Sequence, residues 1–101
     1  MALVEVSIVP LGTQSPSISK YVAQAVKVLQ NEKDLKYELT AMGTIIEGDL
    51  ARLLTLVRKM HEAVLDTGVM RVVTTVKIDE RQDKASTITS KVASVKEKIG
   101  G

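Results

Sequence analysis

Carboxylates and hydroxyls recur in two short stretches of this 101-residue chain, and side chains of these types can bind a cation or exchange a proton. Glu5 and Ser7 lie in ALVEVSIVP near the N-terminus, and Thr40, Thr44 and Glu47 lie in LTAMGTIIEG. Two neighbouring carboxylates can serve as a general acid and base, and they can equally hold a cation. The acidic residues open to either role are Glu5, Glu38, Glu47 and Asp79.

No other residue of the sequence is identified as a nucleophile or as a group that would hold and polarise a substrate. The chain has no cysteine, which excludes thiolate chemistry and cysteine-based metal sites. His61 is the only histidine, and it lies at the edge of an apolar helical stripe, where a histidine is usually a satisfied structural residue. The loop LGTQSPS has no basic residue that could hold a phosphate. We therefore interpret the carboxylates and hydroxyls as binding groups, and we predict no catalytic residue, no cofactor and no metal.

Alternation of apolar and polar residues predicts four β-strands. Pro10 ends the first of them, because proline cannot donate a hydrogen bond to a strand ladder. The second and third strands form a hairpin with a tight turn at Met42 and Gly43, where glycine can adopt the positive φ that tight turns often need. The predicted strands are residues 2–10, 35–42, 44–47 and 69–79.

Apolar residues at helical spacing predict three helices. Ser15 is the predicted N-cap of the first helix, with Pro16 in the first helical position, and Ser17 is an alternative cap. Asp49 is the predicted N-cap of the second helix, and Gly68 ends it in a left-handed conformation. The helices are predicted at residues 16–31, 50–66 and about 87–99, the last capped by Ser86 or Thr87 and carrying the apolar stripe Ile88, Val92, Val95 and Ile99.

The order of these elements indicates an α+β protein. Two right-handed strand–helix–strand units that share one antiparallel sheet give a ferredoxin-like β-α-β-β-α-β sandwich with a four-stranded sheet, here followed by an extra C-terminal helix. A length of 101 residues predicts a single domain that spans residues 1–101.

The composition is that of a globular protein and argues against two kinds of partner. Hydrophobic residues make up 45% of the chain and charged residues 26%, as in a folded domain rather than a disordered one. A net charge of +2 is too small to indicate nucleic acid, and the predicted middle strands carry no aromatic residue for stacking on bases. No apolar run reaches the length of a membrane span. We predict no nucleic-acid or membrane partner and a cytoplasmic location.

One face of the predicted sheet carries the two long helices, and we call the other the open face. Apolar and polar residues mix there, and exposed apolar surface favours association. A second subunit on this face would enclose Glu5, Ser7 and Thr40, whose polar groups would then need partners that a polar ligand can supply. We predict a homo-oligomer, most simply a tetramer made of two dimers. The predicted open face holds Leu3, Glu5, Ser7, Val9, Glu38, Thr40, Val73 and Thr75.

Three stretches of the sequence resemble a known family. They are SIVPLGTQSPSISKYV, YELTAMGTIIEGD and RVVTTVKIDER, and they are similar to the YkoF-like thiamine-binding protein family over about residues 2–84. The resemblance implies a ferredoxin-like domain with an added C-terminal helix and assembly into dimers or tetramers through the sheets. It also implies binding of thiamine, or of its hydroxymethylpyrimidine part, without known catalysis.

The resemblance also implies a set of binding residues. Thiamine carries a cationic thiazolium and an aminopyrimidine with hydrogen-bond donors and acceptors, and carboxylates must hold the cation because aromatic residues are nearly absent. The first strand, the hairpin and the start of the first helix are expected to bring these groups together near a subunit interface. The predicted ligand-binding residues are Glu5, Ser7, Ser17, Ser19, Tyr21, Thr40, Met42, Thr44 and Glu47.

Two other functions are also compatible with the sequence. One is an oligomeric structural or regulatory interaction module without a small ligand, whose polar face residues are merely solvated. The other is an enzyme that uses Glu47 and Asp79. Arg71, Lys77 and Asp79 match the family pattern too, and they can equally form an ion-pair cluster that holds the last strand.

Overall fold

The computed structural model describes residues 1–100, which form four strands and three helices. The strand order is β2-β3-β1-β4, and every pair of neighbouring strands is antiparallel. This is the predicted ferredoxin-like arrangement with an extra helix, which is therefore confirmed. The elements are β1 (Ala2–Leu11), α1 (Ser19–Gln30), β2 (Lys36–Leu39), β3 (Thr44–Gly48), α2 (Leu50–Leu65), β4 (Arg71–Glu80) and α3 (Ile88–Gly100).

The core lies between the sheet and the helices α1 and α2. On β1 the residues with even numbers are buried, because successive side chains of a strand point to opposite faces. Val4, Ile46 and Leu53 bring β1, β3 and α2 together with essentially no exposed surface. All the core residues but Ala2 and Ala25 are larger aliphatic side chains, as expected for a chain without phenylalanine or tryptophan. No helix within residues 1–100 is both long and apolar enough to cross a bilayer.

The start of α2 follows the sequence prediction, whereas the start of α1 does not. The Asp49 carboxylate accepts a hydrogen bond from the Arg52 backbone N–H at 3.3 Å, as an N-cap should. Helix α1 begins at Ser19 and has Ile18 at its N-cap, with no side-chain cap. The Ser15 hydroxyl instead accepts from the Ser17 backbone N–H at 3.2 Å. Serine thus stabilises a local turn here that competes with the helix.

Asp49→Ala is expected to lower the free energy of unfolding by about 1 kcal/mol, because it leaves a backbone N–H of the first turn without its side-chain acceptor. Urea unfolding followed by circular dichroism at fixed protein concentration measures this. Ser15→Ala is the matched control, since Ser15 is exposed and caps no helix. Equal stability of the two variants would contradict the capping role.

The hairpin connection is longer than the predicted turn at Met42 and Gly43. Strand β2 ends at Leu39 and β3 begins at Thr44, so residues 40–43 form the connection. The Thr40 hydroxyl donates to the Gly43 carbonyl oxygen at 2.8 Å and accepts from the Gly43 N–H at 3.2 Å. Thr40 therefore closes the turn and is not a member of the open face.

Helix α3 begins next to the open face, and its residues are not buried against the rest of the domain. Thr87 and Ser90 hydrogen-bond reciprocally, each hydroxyl accepting from the other residue's backbone N–H, so the predicted cap at Thr87 is correct. The apolar stripe of the helix remains without cover. Val92, Val95 and Ile99 are 47%, 56% and 78% exposed.

Candidate functional site

A cleft of about 120 Å³ lies between α1 and the connection of β2 to β3. Apolar side chains form most of its wall, and the buried Met60 of α2 contributes from the core. Three hydroxyl residues, Ser7, Thr40 and Thr44, interrupt this wall. The remaining lining residues are Val6, Ile8, Ile18, Val22, Ala25, Leu39, Ala41, Met42 and Gly43.

A wider groove of about 570 Å³ shares lining residues with this cleft and follows the outer side of α1. The two spaces have Ile18, Val22 and Leu39 in common, together with Thr40 and Ala41. Leu39 is 55% exposed here. The cleft therefore has an apolar mouth, and a molecule can reach its hydroxyl groups from solvent along α1.

Thr44 is the most deeply buried of the three hydroxyl residues, with 3% of its surface exposed. It pairs with Val6 across the β1–β3 ladder and so points toward the helices. Its hydroxyl makes no side-chain hydrogen bond within residues 1–100, whereas the Thr40 hydroxyl is engaged in the turn. A hydroxyl that makes no hydrogen bond to another protein side chain can donate or accept one with a polar edge of a ligand.

Gly43 holds the hairpin against β1. A Cβ at this position would lie 2.9 Å from the Val6 carbonyl oxygen and 3.6 Å from Glu5 Cγ. Gly43 does not have the positive φ that the turn prediction assumed. The glycine is required by close approach of two backbones instead, and this approach places the Glu5 side chain beside the turn.

Two carboxylates lie on the open face, in different surroundings. Glu5 forms an ion pair with Lys77 at 3.8 Å. Glu47 is 7% exposed, and its Oε2 has no hydrogen-bond partner within residues 1–100. Glu47 lines a second pocket of about 320 Å³ together with Glu38 and the start of α3 at Ile88.

The nine predicted ligand-binding residues are divided between two faces of the sheet. Thr44 and Glu47 are three residues apart in one strand, so their side chains point to opposite faces. The hairpin therefore does not bring its predicted binding residues Thr44 and Glu47 to one place. The cleft receives Thr40, Met42 and Thr44, and the adjoining groove receives Ser19. Ser7 borders the cleft, but its side chain points to the open face with those of Glu5 and Glu47.

Two further predicted residues lie at the start of α1. Ser17 is exposed, and its hydroxyl is 3.5 Å from that of Ser19. Tyr21 packs against the core, and the Lys20 ammonium lies 5.0 Å from the centre of its ring. Neither residue lines the cleft or its groove.

Sequence reasoning did not identify the apolar walls of the cleft as part of a site. Ile18 and Val22 belong to the helical stripe of α1, and Met60 belongs to that of α2. Stripes of this kind predict core residues, and the sequence pattern does not separate a core position from one that lines a cavity. Leu39 is the last residue of β2, lies opposite Thr44 and lines the mouth of the cleft.

The polar residues of β4 are engaged in contacts with neighbouring elements. Lys77 pairs with Glu5, and Asp79 forms an ion pair with Lys91 of α3. His61 Nδ1 lies 2.6 Å from the Thr74 hydroxyl, which ties α2 to β4. These contacts support the structural interpretation of His61. Within residues 1–100, no group of three or more His, Cys, Asp or Glu side chains could hold a metal ion.

One carboxyl outside the site has a shifted pKa. The Arg81 guanidinium donates to Asp83 at 2.8 Å and lowers the pKa of that carboxyl below its usual value. Asp83 lies in the exposed loop before α3. This ion pair is therefore part of a surface loop and not of the cleft.

The chain is similar to several known proteins. It matches the sequence profile of the family described as thiamine-binding protein over residues 4–96. It is 46% identical over 98 residues to the UPF0045 protein YqgV of Bacillus subtilis (strain 168), covering 94% of both chains. The crystal structure of the hypothetical protein MJ1052 of Methanocaldococcus jannaschii has a TM-score of 0.86 and 47% identity, covering 95% of this chain and 96% of that one.

A more distant structure shares the fold alone. It is a Thermotoga maritima protein provisionally described as acting in thiamine biosynthesis or salvage, with a TM-score of 0.79, 20% identity and coverage of 93% of this chain and 97% of that one. The profile match and the closer relatives confirm the resemblance found in the sequence, and the chain belongs to the thiamine-binding protein family.

Proposed function

We propose that the protein binds thiamine or its hydroxymethylpyrimidine part without transforming it, and that the pyrimidine ring occupies the cleft. The observation that carries this proposal is Thr44, a residue with 3% of its surface exposed that lines the cleft, whose hydroxyl makes no side-chain hydrogen bond within residues 1–100. An aminopyrimidine offers both donors and acceptors on its edge. Such an edge could hydrogen-bond to the Thr44 hydroxyl.

The apolar walls support a flat, weakly polar ring as the occupant. Ligand sites commonly combine apolar walls with a few placed polar groups. Ile18 and Val22 of α1 line one side of the cleft, and Leu39 and Met42 line it from the hairpin. Neither tyrosine lines the cleft, so ring recognition would rest on aliphatic contacts and hydroxyls rather than on aromatic stacking.

Glu5 is the carboxylate best placed to hold the thiazolium cation. It lies on the open face beside Gly43, at the turn that borders the cleft. Its ion pair with Lys77 is solvent-exposed, with 79% of the lysine side chain accessible, and exposed pairs contribute only about 0–1 kcal/mol. A bound cation could therefore replace Lys77 at little cost.

We also infer that the protein is a cytoplasmic homo-oligomer, a tetramer of two dimers, with the ligand near a subunit interface. The open face leaves Val73 43% exposed beside the partly buried Val9. The apolar stripe of α3 is also uncovered. A second copy over this face would bury both surfaces and would bring its own Glu47 toward the enclosed space.

Isothermal calorimetry with thiamine and with hydroxymethylpyrimidine tests the binding proposal. Thr44→Val and Glu5→Gln are each expected to weaken binding at least about tenfold, which corresponds to about 1.4 kcal/mol, because each removes one polar contact and leaves the fold intact. Thr55→Val and Glu62→Gln are the matched controls, since both residues are exposed on α2. They should bind like wild type.

The calorimetry results test the ligand class and its placement in the cleft separately. Absence of heat at millimolar ligand with the wild-type protein would overturn the function. Unchanged binding by Thr44→Val and Glu5→Gln would keep the ligand class and overturn its placement in the cleft. A tenfold loss in Glu47→Gln would show that the open face of a second copy takes part, because Glu47 of the same subunit lines the pocket beside Glu38 and Ile88 and is not at the turn that borders the cleft.

The second candidate function is an interaction module without a small ligand. The uncovered stripe of α3 and the exposed Val73 favour it. A thermal-shift screen separates the two functions, because a ligand at one hundred times its dissociation constant adds about 2.7 kcal/mol of stability. No stabilisation by thiamine, its pyrimidine part, sugars or nucleotides would favour the interaction module.

A further inference from the structure

Glu47 is a buried carboxylate for which the proposed site in the cleft has no role. It is 7% exposed, and its Oε2 atom has no hydrogen-bond partner within residues 1–100. Burial of a carboxylate is unfavourable unless hydrogen-bond donors or a positive charge accompany it, and buried polar groups without a partner are few in natural proteins. The Glu47 carboxylate is therefore open to a donor that comes from outside the chain.

The neighbours of Glu47 in the sheet leave its carboxylate without a charge partner. Glu47 lies opposite Leu3 of β1 and opposite Lys36 of β2. Leu3 has no polar side-chain atom, and the exposed Lys36 forms no ion pair within residues 1–100. A cation that enters the pocket at Glu47 thus does not have to displace an existing ion pair.

The pocket at Glu47 continues along helix α3. Its volume is about 320 Å³, and it shares Glu38, Ile88 and Thr89 with a neighbouring pocket of about 280 Å³. The two pockets together form a groove between the sheet and α3, which we call the α3 groove. Glu47 lines one end of the α3 groove, and Val92, Ala93 and Lys96 line the other.

The end of the α3 groove at Glu47 fits a primary ammonium group. An ammonium group has three N–H donors and no acceptor, and its hydrogen bonds to carboxylates are stronger than those between neutral groups. Glu47 and Glu38 supply two carboxylates at this end, and Thr89 supplies a hydroxyl that can accept a hydrogen bond. The acceptors at this end thus match the donors of an ammonium group in number and in charge.

The other end of the α3 groove favours an unbranched aliphatic chain with no second charge. Val92 and Ala93 offer apolar contacts to methylene groups, which gain free energy by leaving water. Lys96 lines the same end, and its positive charge disfavours a second ammonium group there. Apolar side chains do not ligate metal ions, so the groove suits an organic cation.

We propose that the α3 groove is a second binding site of this protein and that its ligand is a primary alkylammonium ion. The ammonium group lies at Glu47, and the alkyl chain lies against Val92 and Ala93. The α3 groove shares no lining residue with the cleft or with the groove that adjoins the cleft. The proposal therefore does not rest on thiamine binding.

Isothermal calorimetry of the full chain with pentylammonium chloride, in a buffer without amines, tests this site. The wild type is expected to bind pentylammonium saturably at millimolar concentrations. The alcohol n-pentanol has the same chain without the charge, and methylammonium has the charge with a single carbon. Each should bind at least about tenfold more weakly, because n-pentanol loses the charged contacts and methylammonium loses the apolar ones.

Cadaverine, which has an ammonium group at both ends of the same chain, tests the orientation of the ligand. It should bind more weakly than pentylammonium, because its second ammonium group would lie beside Lys96. Lys96→Gln should remove this difference between the two ligands. An equal preference for pentylammonium in the wild type and in Lys96→Gln would contradict the placement of the alkyl chain along α3.

Glu47→Gln keeps the shape of the side chain and removes its charge, so it should weaken pentylammonium binding at least about tenfold. Glu38→Gln should weaken binding by only about threefold, because Glu38 is exposed and solvent screens its charge. Glu62→Gln is the matched control, since Glu62 is exposed on α2. It should bind pentylammonium like the wild type.

Three results would overturn the proposal. The first is no saturable heat with the wild type, and the second is equal affinity of the wild type for pentylammonium and n-pentanol. The third is equal affinity of the wild type and Glu47→Gln for pentylammonium, with circular dichroism showing that the variant is folded. The comparison of ligands on the wild type does not depend on the folding of any variant. The thiamine proposal is tested with Thr44→Val and Glu5→Gln, so failure of that proposal and failure of this one are distinguishable.

Discussion

Met60→Ala is expected to lower the free energy of unfolding by about 3 kcal/mol. Met60 is 1% exposed and lies where the core borders the cleft. Truncating a buried methionine removes its apolar contacts and leaves a cavity that the surrounding structure refills only in part, at about 2–5 kcal/mol. The cavity would join the cleft, so the variant should also lose selectivity between the pyrimidine part of thiamine and bulkier rings.

Urea unfolding followed by circular dichroism at one fixed protein concentration measures the stability, because association would otherwise shift the midpoint. Met42→Ala is the matched control, since Met42 lines the same cleft but is 84% exposed. Its stability should stay within about 0.5 kcal/mol of wild type. Met60→Leu keeps most of the volume and should lose less than about 1.5 kcal/mol. Equal losses in Met60→Ala and Met42→Ala would show that Met60 is not a core residue.

The fold could be predicted from the sequence because its signals are strong and repeated. Val4, Val6 and Ile8 alternate with polar or half-buried residues, and α2 presents a broad apolar stripe from Leu53 to Val64. Each of these patterns recurs several times in one element. A period of two and a period of 3.6 therefore indicated the elements correctly, and their order left the ferredoxin-like arrangement as the simplest topology.

Local signals were less reliable where two interactions compete for the same residue. Ser15 and Pro16 have the sequence of a helix start, but Ser15 uses its hydroxyl for a turn and α1 begins later, at Ser19. Thr40 has the spacing of a strand residue, but its hydroxyl closes the hairpin connection. In both cases a side-chain hydrogen bond to a nearby backbone group replaced the regular element.

The candidate site was predicted in its residue types and only partly in its geometry. A one-residue difference in strand position reverses the face to which a side chain points. The hairpin prediction placed Thr44 with Glu47, whereas the β1–β3 register puts Thr44 opposite Val6 and Glu47 opposite Leu3. The cleft itself depends on how α1 packs against the hairpin, which is a long-range contact that no local pattern encodes.

Gly43 shows how a residue can be noticed in the sequence for the wrong physical reason. It was expected to supply a positive φ, and its conformation is instead accessible to other residues. What excludes a larger side chain is the Val6 carbonyl oxygen, 2.9 Å from the position of a Cβ. That oxygen belongs to the backbone of the central strand β1, so it cannot move aside as the end of a flexible side chain could.

Gly43→Ala is therefore expected to lower the free energy of unfolding by about 1–3 kcal/mol, the usual effect of overpacking, and Gly43→Val should lose more. The added carbon must push residues 40–43 away from β1, which weakens the pairing of Thr44 with Val6 and changes the shape of the cleft. Gly43→Ala should thus lose stability and thiamine affinity together. Thr44→Val, in contrast, should lose affinity alone.

Gly100→Ala is the matched control, because nothing lies within 4 Å of a Cβ at that position and no positive φ is involved. Its unfolding midpoint in urea should equal that of wild type. If Gly43→Ala also unfolded at the wild-type midpoint, the hairpin would have room to move away from β1. The Thr44 hydroxyl would then not be held at a fixed place in the cleft, and the proposed pyrimidine contact would lose its geometric basis.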